Sequence, residues 1–280
     1  MASAVVFGYH DVGVRCLGAL LDAGVNVPLV ITHGDDPRER IWFASVAALA
    51  RAKGIETVLD PEPAALLERL RAVAPDFIFS FYYRRMLPPE VLAQAKRGAY
   101  NMHGSLLPKY RGRAPVNWAV LHGEAQTGAT LHEMVAKPDA GRIVDQASVP
   151  IGPDDTAAEV FARVTDAAER VMRRSIGALL TGTARLRQNE LAKGSYFGGR
   201  RPEDGRIDWM KSARDIHNLV RAVAPPYPGA FCDRLMVYRT QMTEVNAPGR
   251  KPGPYRERGE WFALCGDGKV LRLLEVQEKQ

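Results

Sequence analysis

Val5-Val6-Phe7-Gly8-Tyr9-His10-Asp11-Val12-Gly13 sets how the first half of this chain is read. Three apolar residues in a row predict a buried strand, and Gly8 to Gly13 predict a turn. A helical pattern follows through Leu17, Leu20 and Leu21 as far as Gly24, and Pro28-Leu29-Val30-Ile31-Thr32 is apolar again. Strand, helix and strand in so short a span pair in parallel, because the helix carries the chain back across the sheet. The rhythm continues. Ile41 to Lys53 predicts a helix with Trp42, Val46 and Leu49 on one side, and Glu56-Thr57-Val58 is extended. Pro63 to Ala74 predicts another helix, with Leu66, Leu67 and Leu70 on one face, and Phe77-Ile78-Phe79-Ser80 a buried strand. The expected fold class is α/β, a Rossmann-like, mostly parallel sheet with helices on both faces. Gly8 and Gly13 lack the spacing of a dinucleotide fingerprint, and no Walker A loop occurs. Sheets of this kind bind ligands beyond the carboxyl ends of their strands. Tyr9-His10-Asp11, the segment from Ser80 to Arg85, and Asn101 to His103 all fall there.

The chemistry concentrates in Asn101-Met102-His103-Gly104-Ser105-Leu106-Leu107-Pro108-Lys109-Tyr110-Arg111-Gly112-Arg113-Ala114-Pro115-Val116-Asn117-Trp118. Residues two apart on a strand share a face, so Asn101 and His103 can reach the same atom. Lys109, Arg111 and Arg113 lie on the turn-rich loop that follows, and Asp139-Ala140-Gly141 puts an acid in a later tight turn. Taken singly, Asn101 could cap a turn, His103 could be a satisfied core histidine, and Asp139 could be a plain turn residue. Taken together they suit acyl transfer. An amide donates to an oxyanion, an imidazole moves a proton, and a carboxylate holds and tunes the imidazole.

The string His103-Gly104-Ser105-Leu106-Leu107-Pro108, then Tyr110-Arg111-Gly112 and Asp139-Ala140-Gly141, closely resembles the signature of the 10-formyltetrahydrofolate-dependent formyltransferases. Tyr9-His10-Asp11, Phe79 to Arg84, Arg111 to Pro115, Phe197 to Pro202 and Pro228 to Phe231 narrow the likeness. They are similar to the formyltransferase domain that acts on UDP-4-amino-4-deoxy-L-arabinose in lipid A modification, the chemistry of polymyxin resistance. The likeness runs along nearly the whole chain and weakens after about residue 240. It implies catalytic roles for Asn101, His103 and Asp139. It also implies a folate site formed by Arg85, Met86, Leu87, Arg113 and the loop Val135, Ala136, Lys137, Pro138 and Asp139. Met86 and Leu87 would line an apolar slot for the pterin, although both also suit an ordinary core. Arg113 could instead contact a diphosphate. The implied co-substrate is 10-formyltetrahydrofolate, with no metal and a nucleotide-sugar as acceptor. Methionyl-tRNA formyltransferase is the competing enzyme. Against it stand Arg113, where those enzymes carry a small residue, and Tyr9-His10-Asp11, where they have a different turn. A silent folate-binding or scaffold protein is the non-enzymatic alternative, and the intact Asn101, His103 and Asp139 argue against it.

Composition fits this reading without deciding it. The chain has 280 residues, 46% hydrophobic and 25% charged, which is ordinary for a globular protein. Cys16, Cys232 and Cys265 are far apart and suggest neither a disulfide framework nor a zinc site. The start of the chain reads as a first strand and not as a signal peptide. No apolar run reaches the roughly 18 residues of a membrane span. A cytoplasmic location is expected, with no membrane insertion. The net charge is +6, but the basic residues are scattered, with only short doublets such as Arg84-Arg85 and Arg200-Arg201. No basic stripe points to nucleic acid, and none is expected as a partner.

Further along, Ile143 to Ile151 is extended, and a long helix is expected from about Ala157 to Leu180, opened by a Thr156/Glu159 capping box. Residues 194 to 206 read as a connection, and Ser212 to Val223 as a short helix. Met236 to Tyr238, Trp261 to Leu264 and Val270 to Leu274 read as strands of a small β-rich subdomain. The resemblance implies that this part is OB-like. The expected division is residues 1–200 for the catalytic formyltransferase domain and 201–280 for the OB-like subdomain. The oligomeric state is left open.

Overall fold

A computed structural model describes residues 1–37, 39–247 and 249–279. The elements before the middle of the chain are β1 (Ser3–Gly8), α1 (His10–Asp22), β2 (Asn26–Thr32), α2 (Val46–Ala52), β3 (Glu56–Leu59), α3 (Pro63–Val73), β4 (Phe77–Phe81), α4 (Pro89–Leu92) and β5 (Gly98–His103). Then come β6 (Arg111–Gly112), α5 (Pro115–Leu121), β7 (Gln126–Glu133), β8 (Ile143–Pro150), α6 (Ala157–Thr181), β9 (Tyr196–Phe197) and α7 (Ala213–Val223). The chain ends with β10 (Ala230–Phe231), β11 (Leu235–Asn246), β12 (Gly253–Glu257), β13 (Glu260–Leu264) and β14 (Lys269–Glu278).

The main sheet has seven strands in the order β3-β2-β1-β4-β5-β7-β8. The first five pair in parallel, and β7 runs antiparallel to β5. The expected mostly parallel α/β sheet is therefore present. Its central strands are apolar on both faces because helices cover both sides: Val5, Val6, Phe7, Ile78, Phe79 and Phe81 have no exposed surface. The chain leaves β1 toward β2 and β3, then returns on the other side to β4 and β5. Tyr9, Tyr82 and His103 thus sit at the carboxyl ends of neighbouring strands, where such sheets bind ligands.

Two local expectations are corrected. The turn after β1 is shorter than read: α1 starts at His10, held in a left-handed conformation at φ 66°. The second helix starts at Val46 and not at Ile41. Ser45 stops its extension toward the N-terminus by accepting the amide hydrogen of Ala48, as a cap does. Trp42 and Phe43 are drawn out of the helical pattern by the His10 ring, which Trp42 meets edge-on at 4.6 Å and on which Phe43 stacks at 3.9 Å between ring centres. The capping box before α6 forms as expected. The Glu159 carboxylate accepts from the Thr156 amide at 2.7 Å, and the Thr156 hydroxyl accepts from the Glu159 amide. Val160, Val164, Ala167 and Val171 form the buried stripe of α6.

The chain divides into two compact units. One comprises residues 1–112, 128–149 and 163–196, and the other residues 113–127, 150–162 and 197–280. The second contains a five-stranded antiparallel sheet in the order β10-β11-β14-β13-β12. α7 packs Ile216, Val220 and Val223 onto its Leu235, Val237, Leu271 and Leu273. β12 was not legible as a strand, because Gly253-Pro254-Tyr255 carries no apolar alternation. Among the described residues no helix is long and apolar enough to cross a membrane.

Candidate active site

β5 carries Asn101 and His103 on one face, as their spacing predicts, and the turn after β7 returns Asp139 to them. His103 is 6% exposed. Its Nε2 lies 2.7 Å from the Tyr110 carbonyl oxygen, which can only accept, so Nε2 carries a hydrogen. The working nitrogen is therefore Nδ1, which faces Asp139 Oδ1 at 3.5 Å. In the neutral ring Nδ1 holds a lone pair, and once protonated it points its hydrogen toward the carboxylate side.

Asp139 is built into place from three directions. Its Oδ2 accepts the Gly112 amide hydrogen at 2.8 Å, and the buried Asn189 amide donates to the backbone oxygens of Asp139 and Gly141. Its own backbone is left-handed at φ 48°. Gly141 is obligatory: a Cβ there would stand 2.1 Å from the Glu133 carbonyl oxygen. Burial by itself would raise the Asp139 pKa. The neighbouring imidazoles of His103 and His132 and the Gly112 amide more than reverse this and hold the carboxyl well below the usual range. Asp139 is thus a carboxylate at any pH at which the protein would be assayed.

Sequence reasoning missed His132. It sits on β7 directly opposite Asn101 in the β5–β7 register. Its Nε2 lies 3.1 Å from the Asn101 Nδ2 and 3.4 Å from Asp139 Oδ1. The only signal was an unexplained histidine in the strand-like Thr127 to Glu133 run, seven residues before Asp139. Asn189 carried no signal at all.

The folate-site expectations are scattered more widely. Arg85 pairs with Asp60 at 2.9 Å, Met86 is 59% exposed, and Leu87 is packed into the core with Val5, Phe7 and Ile78. Val135, Ala136 and Lys137 are exposed, and Pro138 is half-buried. Met86 and Val135 are thus the large apolar side chains free to line a slot, while Leu87 is committed to the core. Arg113 belongs to the second compact unit. There it lines a cavity of about 550 Å³ together with Asn117, Arg200, Arg201 and Tyr227. The Arg200 guanidinium lies 4.8 Å from the centre of the Trp118 ring, and its Nε is buried without a partner. Burial lowers the Arg200 pKa, with Asp204 acting in the opposite direction. Burial also pushes the Tyr227 hydroxyl up to about 12, against a hydrogen bond with Asn117. Among the described residues no cluster of three or more His, Cys, Asp or Glu side chains could hold a metal ion.

Residues 4–176 match the formyl transferase family, and residues 200–280 match the formyl transferase C-terminal domain. The chain belongs to the formyl transferase family. Solved relatives share its architecture. An N-formyltransferase from Helicobacter canadensis, in complex with folinic acid and dTDP-3-aminofucose, is 22% identical with a TM-score of 0.79, over the whole of both chains. WlaRD, a sugar 3N-formyltransferase solved in the presence of dTDP and 5-N-formyl-THF, is 20% identical with a TM-score of 0.79, over 99% of this chain and 98% of its own. A glycinamide ribonucleotide transformylase from Symbiobacterium toebii is 26% identical with a TM-score of 0.58, over 68% of this chain and 95% of its own.

Proposed function

We propose that this formyltransferase moves the formyl group of 10-formyltetrahydrofolate to the primary amine of a nucleotide-linked amino-sugar. UDP-4-amino-4-deoxy-L-arabinose, the sugar of lipid A modification, is the acceptor we favour. The observation that carries the reading is the cluster of an ionised Asp139, the Nδ1 of His103 and the Asn101 amide at the end of β5. The neutral amine forms a bond to the formyl carbon, and the carbonyl π pair moves to oxygen. Asn101 donates a hydrogen bond to that oxyanion. The lone pair on His103 Nδ1 takes the proton that the amine must lose, and Asp139 stabilises the resulting imidazolium. The same proton then goes to N10 of the folate as the carbon–N10 bond breaks, so charge and protons balance without a metal. Exposed Met86 and Val135 offer apolar surface of the kind a flat pterin contacts, which supports the folate assignment of Met86 and of the loop from Val135 to Asp139.

The acceptor assignment draws on the relatives solved with dTDP-sugar or dTDP, and on the cavity that holds Arg113, Arg200 and Arg201. A half-buried guanidinium whose buried Nε has no partner suits a diphosphate, which would restore the favourable setting that burial removes. On this reading Arg113 serves the acceptor and not the folate. The test measures KM for both substrates in Arg113→Ala and Arg200→Ala. The expected result is a KM for the UDP-sugar raised about tenfold or more, with the folate KM unchanged, since an ionic hydrogen bond contributes roughly 1.5–3 kcal/mol. A rise confined to the folate KM would return Arg113 to the folate site. Formylation of charged initiator tRNA in preference to any UDP-sugar would refute the acceptor.

A further inference from the structure

We propose that His132 is a positioning residue that fixes which way the Asn101 amide faces the reacting formyl oxygen. The proposal rests on the formyl-transfer reading above. His132 is 1% exposed and occupies a strand position that an aliphatic side chain would fill without leaving polar atoms to satisfy. Both of its ring nitrogens are engaged. Nδ1 lies 2.7 Å from the Glu133 carbonyl oxygen, which only accepts, so Nδ1 carries the ring hydrogen. Nε2 of the neutral ring is therefore a lone pair, and it accepts from the Asn101 Nδ2 at 3.1 Å. Asp139 Oδ1 approaches the same nitrogen only to 3.4 Å.

This tautomer dictates the amide orientation. An asparagine amide has two hydrogens on one end and a bare oxygen on the other. With one hydrogen committed to His132, the second remains to point at the formyl oxygen, and Oδ1 is turned away. Without an acceptor at that point, the amide can rotate by half a turn and present Oδ1 to a developing oxyanion. That state repels the charge it should stabilise. The effect falls on the transition state, where the negative charge appears, and not on ground-state binding. Of the groups facing His132, Asp139 and His103 are titratable, and the His103 ring centre is 6.5 Å away.

The test is a double-mutant cycle in single-turnover kinetics on Asn101→Ala, His132→Leu and the double variant, with His132→Gln as the conservative replacement. A glutamine oxygen can reach roughly the place of the imidazole Nε2. His132→Leu is expected to lower kcat by about 10- to 100-fold, a fraction of the loss of an oxyanion donor, with both KM values within about twofold. His132→Gln should regain most of that loss. The double variant should be no slower than Asn101→Ala, because nothing is left for His132 to orient. If the leucine variant fails to fold, His132→Met takes its place in the cycle. Additive losses, equal rates for Leu and Gln, or an unchanged kcat would each overturn the role of His132. A wild-type protein that formylates no amine would refute the function itself, so the two failures are told apart.

Discussion

Asp139→Asn isolates the charge at the centre of the site. The substitution keeps the side-chain shape, and an asparagine Oδ1 can still accept the Gly112 amide hydrogen that Asp139 accepts at 2.8 Å. Two things are lost. One is the attraction between the carboxylate and an imidazolium whose Nδ1 stands 3.5 Å from Oδ1. At an effective dielectric of about 20, two unit charges at that distance attract by about 5 kcal/mol. Water and the neighbouring histidine reduce the net value, and about 2–4 kcal/mol should reach the transition state, or 30- to 1000-fold in rate. The other loss is the lone pair itself, because an asparagine N–H can donate to His103 Nδ1 and occupy it. The assay is single-turnover formylation at saturating donor and acceptor, beside a thermal melt to confirm the fold. The expected result is a kcat reduced by at least about 30-fold with KM nearly constant. A variant within threefold of the parent and equally stable would refute the electrostatic role of Asp139.

Further outcomes follow from other parts of the molecule. Gly141→Ala should lose both activity and thermal stability, because its Cβ would meet the Glu133 carbonyl at 2.1 Å and push the Asp139 turn outward; a variant as active as the parent would show that this turn need not hold its place. His10 is buried against Phe43, and burial, aided by the charge of Arg84, lowers its pKa to about 3. An unfolded chain binds a proton there near pH 6.5, so stability is full above that pH and falls as pH drops from 6.5 toward 3. Denaturant titrations at pH 7 and pH 4 should show the loss, and His10→Phe should show less of it; equal slopes in the two proteins would remove His10 as the cause. Activity should survive exhaustive chelation, and a reversible loss restored by one divalent ion would mean that the site is misread.

What the sequence revealed and what it hid have separate physical causes. The alternation of apolar runs with helical faces is local, so the parallel sheet could be read from Val5 to Ser80. Asn101 and His103 could be placed on one face because strand period is fixed. His132 could not, since its role depends on β7 lying antiparallel against β5 in a register that sets it opposite Asn101. Nothing within Thr127 to Glu133 states that register. Helix α2 was overextended because Trp42 falls in line with Val46 and Leu49 on a helical face, yet Trp42 and Phe43 serve the His10 ring instead. Met86 and Leu87 look alike in sequence, and only packing separates the exposed one from the core one. The grouping of residues 113–127 and 150–162 with 197–280 is likewise a long-range fact that no local pattern carries.

Formyl transfer to the sugar amine can be followed by mixing the protein with 10-formyltetrahydrofolate and UDP-4-amino-4-deoxy-L-arabinose and detecting both products by mass spectrometry. The expected result is one formyl group on the sugar amine for each tetrahydrofolate released, abolished by His103→Ala and retained in the presence of a chelator. Tetrahydrofolate released with no formylated sugar, or no reaction with any nucleotide-linked amine, would contradict it.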